Sequence, residues 1–248
     1  MGKRQRLDKI LLERQLVASR HEGRGRILAG EVLVNEHPVT KAGTLVDPTA
    51  VIRVKSGLPY VSRGGTKLER ALHEFSVDVA GKVVLDVGAS TGGFTHCLLT
   101  RGAVQVYAVD VGYGQLDWKL RNDPRVVVLE KTNIRYLNRS DLPRPADLAT
   151  VDVSFISLRL VLPHVRSLLG PGAGVIALIK PQFEVGKGKV GKGGVVRSSE
   201  EHVRVIEEIQ NAAIAIGYRV CGVTESPLLG PKGNKEFFIY FTDGRELQ

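Results

Sequence analysis

Lysines and carboxylates recur in this 248-residue chain at the edges of its apolar and glycine-rich segments. Lys67 lies in SRGGTKLERAL, Asp152 follows the run LATV, Lys180 follows GVIALI, and Glu236 precedes FFIYF. A packed domain exposes such segment ends along its active edge, so folding can assemble the four into one group. Lysines and carboxylates brought together in this way are residue types able to do acid–base work and to hold one another in place. Each residue alone also reads as half of a surface ion pair. Together, Lys67, Asp152, Lys180 and Glu236 are the candidate catalytic group.

The scaffold that must position them is legible as a change of period. The runs KVVLDVG, VQVYAVDVG, LATVDVSF and GVIALIKP are rich in Val and Ile and are separated by helix-length segments. Near-continuous apolar strands alternating with helices imply a parallel sheet covered on both faces. A helix is expected from Ser198 or Ser199 to the stop at Gly217, with Val203, Ile206, Ala213 and Ile214 facing inward. RVCGVTESPL and KEFFIYFT are expected to close the chain as an antiparallel pair. Ahead of this α/β pattern, Leu7, Ile10, Leu11, Leu12 and Leu16 recur at helical spacing, Ser19 can cap a second helix that Gly30 ends, and short alternating strands follow. The expected organisation is a small α+β domain over 1–55, a linker over 56–60 and a doubly wound domain over 61–248.

In open α/β sheets ligands bind beyond the carboxyl ends of the strands, where strand order reverses. The turn LDVGASTGGF supplies Gly88, Gly92 and Gly93 where backbone must approach a ligand, but Ser90 occupies the second glycine position of G-x-G-x-x-G and would hinder a pyrophosphate. The form D-x-G-x-x-x-G-G instead resembles the first motif of S-adenosylmethionine-dependent methyltransferases, which implies S-adenosylmethionine as cofactor. Asp110 ends the second strand and can accept hydrogen bonds from both ribose hydroxyls. Asp86, Gly88, Ser90, Gly92, Gly93, Phe94, Asp110 and Asn133 make up the candidate cofactor set; a tight strand-to-helix turn without ligand is the alternative. Gly186 to Lys192 imitates a P-loop, yet Gly193 replaces the Ser or Thr that would hold magnesium. With Lys187, Lys189, Lys192 and Arg197 this loop reads either as a contact for RNA phosphates or as a solvated connection.

The formal net charge is +9, and residues 1–57 carry 11 Lys and Arg against 6 Asp and Glu, a net of +5. A concentrated positive face attracts polyanions by counterion release, the alternative being a solubilising surface. RLDK (Arg6 to Lys9), Leu16 to Arg20 and the Gly30 to Asn35 turn resemble the RNA-binding domain named after a ribosomal small-subunit protein, with Glu36 standing where that family commonly has Gly. The resemblance implies RNA contacts at Arg6, Lys9, Arg20 and Arg24. Two cysteines, Cys97 and Cys221, are too few for a disulfide framework or a thiolate metal site, the six histidines show no ligand spacing, and no apolar stretch approaches the ~20 residues that cross a bilayer. No metal and no membrane partner are expected, and the expected location is the cytoplasm.

From Arg6 to Phe241, through RLDK, SRGGTKLERAL, DVGASTGGFT, VDVSFISL, IKPQFE and NKEFF, the sequence resembles the TlyA family, also called hemolysin A, whose second domain is similar to FtsJ-type ribose 2'-O-methyltransferases. The resemblance implies a Rossmann-like doubly wound S-adenosylmethionine methyltransferase domain with a terminal antiparallel strand, preceded by the small RNA-binding domain. It also places the family's catalytic K-D-K-E group on Lys67, Asp152, Lys180 and Glu236, puts Phe94 where FtsJ relatives have Trp, and implies ribosomal RNA as partner and a 2'-O-methylated cytidine as product. In that chemistry Lys180 is the expected base, its pKa depressed with help from Lys67. The family label leaves membrane lysis open, and a non-catalytic ribosome-assembly factor is the third reading.

Overall fold

The computed structural model describes residues 4–17, 19–28, 30–54, 59–186, 190–191 and 193–244. The chain divides into two units, Met1–Pro59 and Tyr60–Gln248. In the first, β1 (Gln5–Arg6) leads into α1 (Leu7–Glu13) and α2 (Arg20–Leu28), followed by β2 (Val32–Val34), β3 (His37–Pro38), β4 (Leu45–Val46) and β5 (Ile52–Val54). The Ser19 hydroxyl accepts the Glu22 amide at 3.1 Å and so opens α2, while Gly30 adopts φ +71° beyond its end. β2 pairs antiparallel with β3 and β5, and β1 pairs antiparallel with β4. Leu7, Ile10, Leu11, Ile27 and Val32 form the core of this unit. Leu12, on the outer side of α1, and Leu16, beyond its end at Glu13, stay outside it.

The second unit opens with α3 (Arg63–Glu74), whose first turn is capped by the Ser62 hydroxyl accepting the Gly64 amide. It continues through β6 (Val83–Val87), α4 (Gly93–Thr100), β7 (Gln105–Val109), α5 (Trp118–Arg121), β8 (Val126–Leu129), β9 (Ala146–Val151), α6 (Leu158–Ser167), β10 (Leu169–Ile179), α7 (Pro181–Glu184), α8 (Ser199–Ala215), β11 (Tyr218–Glu225) and β12 (Phe237–Asp243). One seven-stranded sheet has the order β11-β12-β10-β9-β6-β7-β8. Both sheet faces are covered: Val83, Leu85 and Val87 of β6 face one core cluster and Val84 the other. That two-residue alternation is the pleat of a strand buried on both sides.

Two details differ from the sequence reading and one adds to it. β8 is an additional strand, half-buried along its length, beyond the four apolar runs. The expected closing antiparallel pair forms between β11 and β12, and β12 also pairs antiparallel with β10, so it lies inside the sheet. In α8 the inward residues are His202, Val205, Ile209 and Ala213, whereas Val203 and Ile214 are each 55% exposed. The Ser198 hydroxyl caps the helix by accepting the Glu201 amide, and the buried stripe begins at His202, whose ring nitrogen meets the Val196 carbonyl, leaving the neighbouring Val203 outside.

Asp86 lies in the middle of this core with no exposed surface. Its carboxylate accepts the Thr95 hydroxyl of α4 at 2.6 Å and the Thr150 hydroxyl of β9 at 3.0 Å. Burial, opposed by these two hydroxyls, pushes its pKa up to about 6. The folded carboxyl then holds its proton more tightly than the unfolded one, so this group's contribution to stability falls as pH rises from about 4 to about 6. The shift corresponds to a change on the order of 3 kcal/mol. Thermal melting of wild type and Asp86→Asn across that window is the check: the wild type is expected to lose stability with rising pH relative to the variant, and parallel curves would contradict it.

Candidate active site

Parallel strands present their carboxyl ends along one edge, and an antiparallel strand presents its amino end there. Residues that follow β6, β7, β9 and β10 therefore meet the residue that precedes β12. At this edge the order reverses between β6 and β9, since the chain proceeds from β6 to β7 and β8 on one side and returns to β9 on the other. Two adjoining cavities open at that point, sharing Gly88, Ser90 and Asp152 in their walls.

The first cavity, about 260 Å³, is lined by all four candidate catalytic residues. Lys67, in the second turn of α3, donates to Glu236 Oε2 at 2.6 Å across 169 residues of sequence. Lys180 donates to Ser154 Oγ at 2.9 Å, and its Nζ lies 2.6 Å from Asp152 Oδ1. That second approach is an ion pair outside hydrogen-bond geometry, which leaves Asp152 Oδ1 without a hydrogen-bonding partner. Lys67, Lys180 and Glu236 are buried and Asp152 half-buried, so each lysine has its own carboxylate at hand in a site with little water. Glu236 Oε1 also lacks a hydrogen-bonding partner, and Gly230 makes room for it: a β-carbon at 230 would stand 2.0 Å from that oxygen.

Two further residues support this arrangement and were not singled out in the sequence. Ser154 stands two residues beyond Asp152 and contacts Lys180 directly. Glu184, one turn beyond Lys180, accepts the Ser157 hydroxyl at 2.5 Å and the Leu158 amide at 2.8 Å, and burial raises its pKa. It thereby ties the segment after β10 to the segment after β9. Their only signal was position, within VDVSFISL and IKPQFE, because neither residue type is distinctive in a loop.

The second cavity, about 520 Å³, takes in Gly88, Ser90, Asp110 and Asn133 of the candidate cofactor set, together with Gln115, Thr132 and an apolar wall that includes Val111, Ile134 and Ile156. Asp110 accepts the Ser90 amide through Oδ2 at 2.8 Å and the Gly112 amide through Oδ1 at 2.7 Å. Each oxygen keeps a lone pair for a further donor. Gly88 has φ +87°, and a β-carbon there would be 2.5 Å from the Asp152 carbonyl oxygen. The remaining four residues of the set are placed elsewhere. Asp86 is sealed in the core by its two threonines. Gly92 faces α5, where a β-carbon would strike the Leu120 and Leu116 side chains at 2.3 and 2.8 Å, so it serves packing. Gly93 and Phe94 line the first cavity.

In the first unit Arg6 and Arg20 both bind the Asp8 carboxylate, Lys9 lies 3.6 Å from Glu13, and Arg24 is exposed. Of the basic loop, Lys187, Lys189 and Lys192 lie outside the described residues, and Arg197 is exposed.

A doubly wound sheet with one internal antiparallel strand, a glycine turn at the reversal point and an acidic residue after the second strand define the class: an open α/β domain with a ligand crevice at its switch point. Residues 60–242 match the FtsJ-like methyltransferase family and residues 5–52 the S4 domain. YqxC of Bacillus subtilis is 50% identical over 99% of this chain and 90% of its own. The 16S/23S rRNA (cytidine-2'-O)-methyltransferase TlyA of Mycobacterium tuberculosis is 47% identical over 97% of this chain and 90% of its own. A solved structure of a hemolysin candidate from Streptococcus thermophilus superposes with a TM-score of 0.76 at 40% identity, covering 98% of this chain and 90% of that one. The chain belongs to the TlyA family of FtsJ-like methyltransferases. Among the described residues no helix is long and apolar enough to cross a membrane.

The space at Gly230 supplies a test of the cleft. Gly230→Ala is expected to push Glu236 off Lys67 and lower methyl transfer by about tenfold or more, since misplacement near 1 Å suffices for large losses. Calorimetric affinity for S-adenosylmethionine should be retained. A variant with wild-type turnover would show that the Lys67–Glu236 contact is dispensable.

Proposed function

We propose that this protein transfers a methyl group from S-adenosylmethionine to the 2'-oxygen of a cytidine ribose in ribosomal RNA, with the second unit performing the chemistry and the first binding RNA. The observation that carries the reading is the presence of two lysines, each beside its own carboxylate, in a cavity that adjoins the larger one through Gly88, Ser90 and Asp152. The ribosomal substrate is supported by the name of the 47% identical relative, by the match to the S4 domain and by the net +5 in residues 1–57. Such a substrate fits a cytoplasmic location.

The larger cavity suits the cofactor. Gly88 lets the glycine turn close against the Asp152 backbone at the cavity's edge, the apolar wall offers a face for a purine, and the remaining acceptor capacity of Asp110 suits ribose hydroxyls. Bound there, S-adenosylmethionine supplies an electrophilic sulfonium methyl. Gly88, Ser90, Asp110 and Asn133 are the residues we assign to holding it.

A ribose hydroxyl is a weak nucleophile, and its proton must leave as the new bond forms. We assign the unprotonated amine of Lys180 to accept that proton, with Asp152 and Ser154 positioning it beside the adjoining cavities. Glu236 at 2.6 Å balances the charge of Lys67, so the role we assign to Lys67 is orienting the hydroxyl rather than acting on Lys180 through charge repulsion.

Lys180→Ala is expected to leave cofactor and RNA affinity nearly intact and to slow single-turnover methyl transfer by ~10²-fold or more. Labelled S-adenosylmethionine with purified ribosomal subunits, followed by nucleoside mass spectrometry, measures both rate and product. Transfer at the wild-type rate removes Lys180 from the chemistry, and a methyl on the base instead of the ribose sinks the reaction assignment. Asp110→Ala is expected to weaken the cofactor by about tenfold through the lost ribose contacts, read by calorimetric titration; unaltered affinity would remove Asp110 from the site.

A further inference from the structure

Asp8 is fully buried in the first unit, an uncommon position for a carboxylate, and it is shared by two cations from separate segments. Arg6, just before α1, donates Nε to Oδ1 at 3.0 Å and NH2 to Oδ2 at 3.1 Å. Arg20, the first residue of α2, donates Nε to Oδ2 at 3.1 Å. The Arg6 hydrogen bonds hold the Asp8 carboxyl below its usual range against the opposing effect of burial, with Arg20 adding to them. The arginines themselves remain half exposed, with side-chain exposures of 48% and 53%. Among the described residues the two terminal nitrogens of Arg20 make no hydrogen bond. One anion thus anchors two guanidinium groups and leaves a net positive charge facing water.

We infer that Asp8 is a positioning residue that fixes Arg6 and Arg20 as a paired guanidinium seat for an RNA phosphate. The inference rests on the RNA-binding role proposed above for this unit. An exposed arginine loses rotamer freedom when it binds, and one already locked by a buried carboxylate has little left to lose. Guanidinium forks match phosphate oxygens in pairs, so a fixed pair offers both charge and geometry. Lys9 and Arg24 have no such anchor and serve as the contrast. The arrangement also changes what removing the arginines would mean: Arg6→Ala with Arg20→Ala strips a buried carboxylate of both partners, so loss of binding in that variant mixes lost contacts with a disturbed fold.

Charge and geometry make opposite forecasts for Asp8→Asn. The substitution raises the net charge by one, so charge alone requires tighter RNA binding; loss of the anchor requires weaker binding. The full-length protein is measured against in vitro transcribed ribosomal RNA at fixed salt, with folding followed by circular dichroism. Asp8→Asn is expected to weaken Kd by about tenfold and to raise KM for RNA more than it lowers kcat, while Asp8→Glu recovers part of the loss. In an Arg6→Ala/Arg20→Ala background, adding Asp8→Asn should weaken RNA binding no further, because the anchor then has nothing to hold. Tighter or unchanged binding by Asp8→Asn overturns the inference. So does an equal loss in both backgrounds, which marks a purely structural carboxylate. A wild type that binds no ribosomal RNA overturns the proposed function as well, which separates the two failures.

Discussion

A charged side chain removed from water must meet a partner of opposite sign, and the active cleft holds four such groups. Breaking one buried pair by deleting a partner typically costs roughly 3–5 kcal/mol, because the survivor is left desolvated and unpaired. Lys67 and Glu236, separated by 169 residues, can pair only if α3 and the segment before β12 reach the same sheet edge. The antiparallel sense of β12 provides this, since it turns the start of that strand toward the ends of β9 and β10. The same placement lets Gly230 admit the Glu236 carboxylate, while the parallel pairing of β9 with β10 brings Lys180 beside Asp152 and Ser154. Pairing of charges and topology of the sheet are therefore one constraint seen twice.

Much of this was legible because burial writes a strong signal into composition. The runs around Leu85, Tyr107, Ala149 and Ile176 are apolar on both faces, and the polar residues at the carboxyl ends of two of them, Asp152 and Lys180, mark where the sheet meets the cleft. β8 was harder to read because its residues are only half-buried and the strand is four residues long. The inward face of α8 was misread because its buried stripe runs through His202, a polar residue held by the Val196 carbonyl, which an apolar pattern does not mark. The interior position of β12 is a matter of strand order, which periodicity does not carry. Ser154 and Glu184 act through contacts made only after folding, and their residue types are ordinary in loops.

The glycine-rich turn shows how one motif serves several needs. Gly88 keeps the strand end close to the Asp152 backbone, Gly92 accommodates the leucines around α5, and Asp86 turns inward to join α4 and β9 through two threonine hydroxyls. Read as a string, these residues look like equivalent contacts for a ligand. In the folded unit only part of the turn faces the larger cavity, and the remainder fixes the angle at which the turn is presented. The Asp8 cluster divides its labour similarly, with a hidden carboxylate ordering cations that stay in contact with solvent.

The insertion of β12 between β10 and β11 also has a bearing on how the molecule is made. Synthesis proceeds from the amino end, so α3 and the first five strands of the sheet are complete while the segment carrying Glu236 has still to leave the ribosome. Until it does, Lys67 lacks its carboxylate and β10 lacks its antiparallel neighbour. A nascent or prematurely terminated chain that stops short of this strand is thus left without one member of the candidate catalytic group, and the paired lysines and carboxylates are complete only once the segment carrying Glu236 has been made.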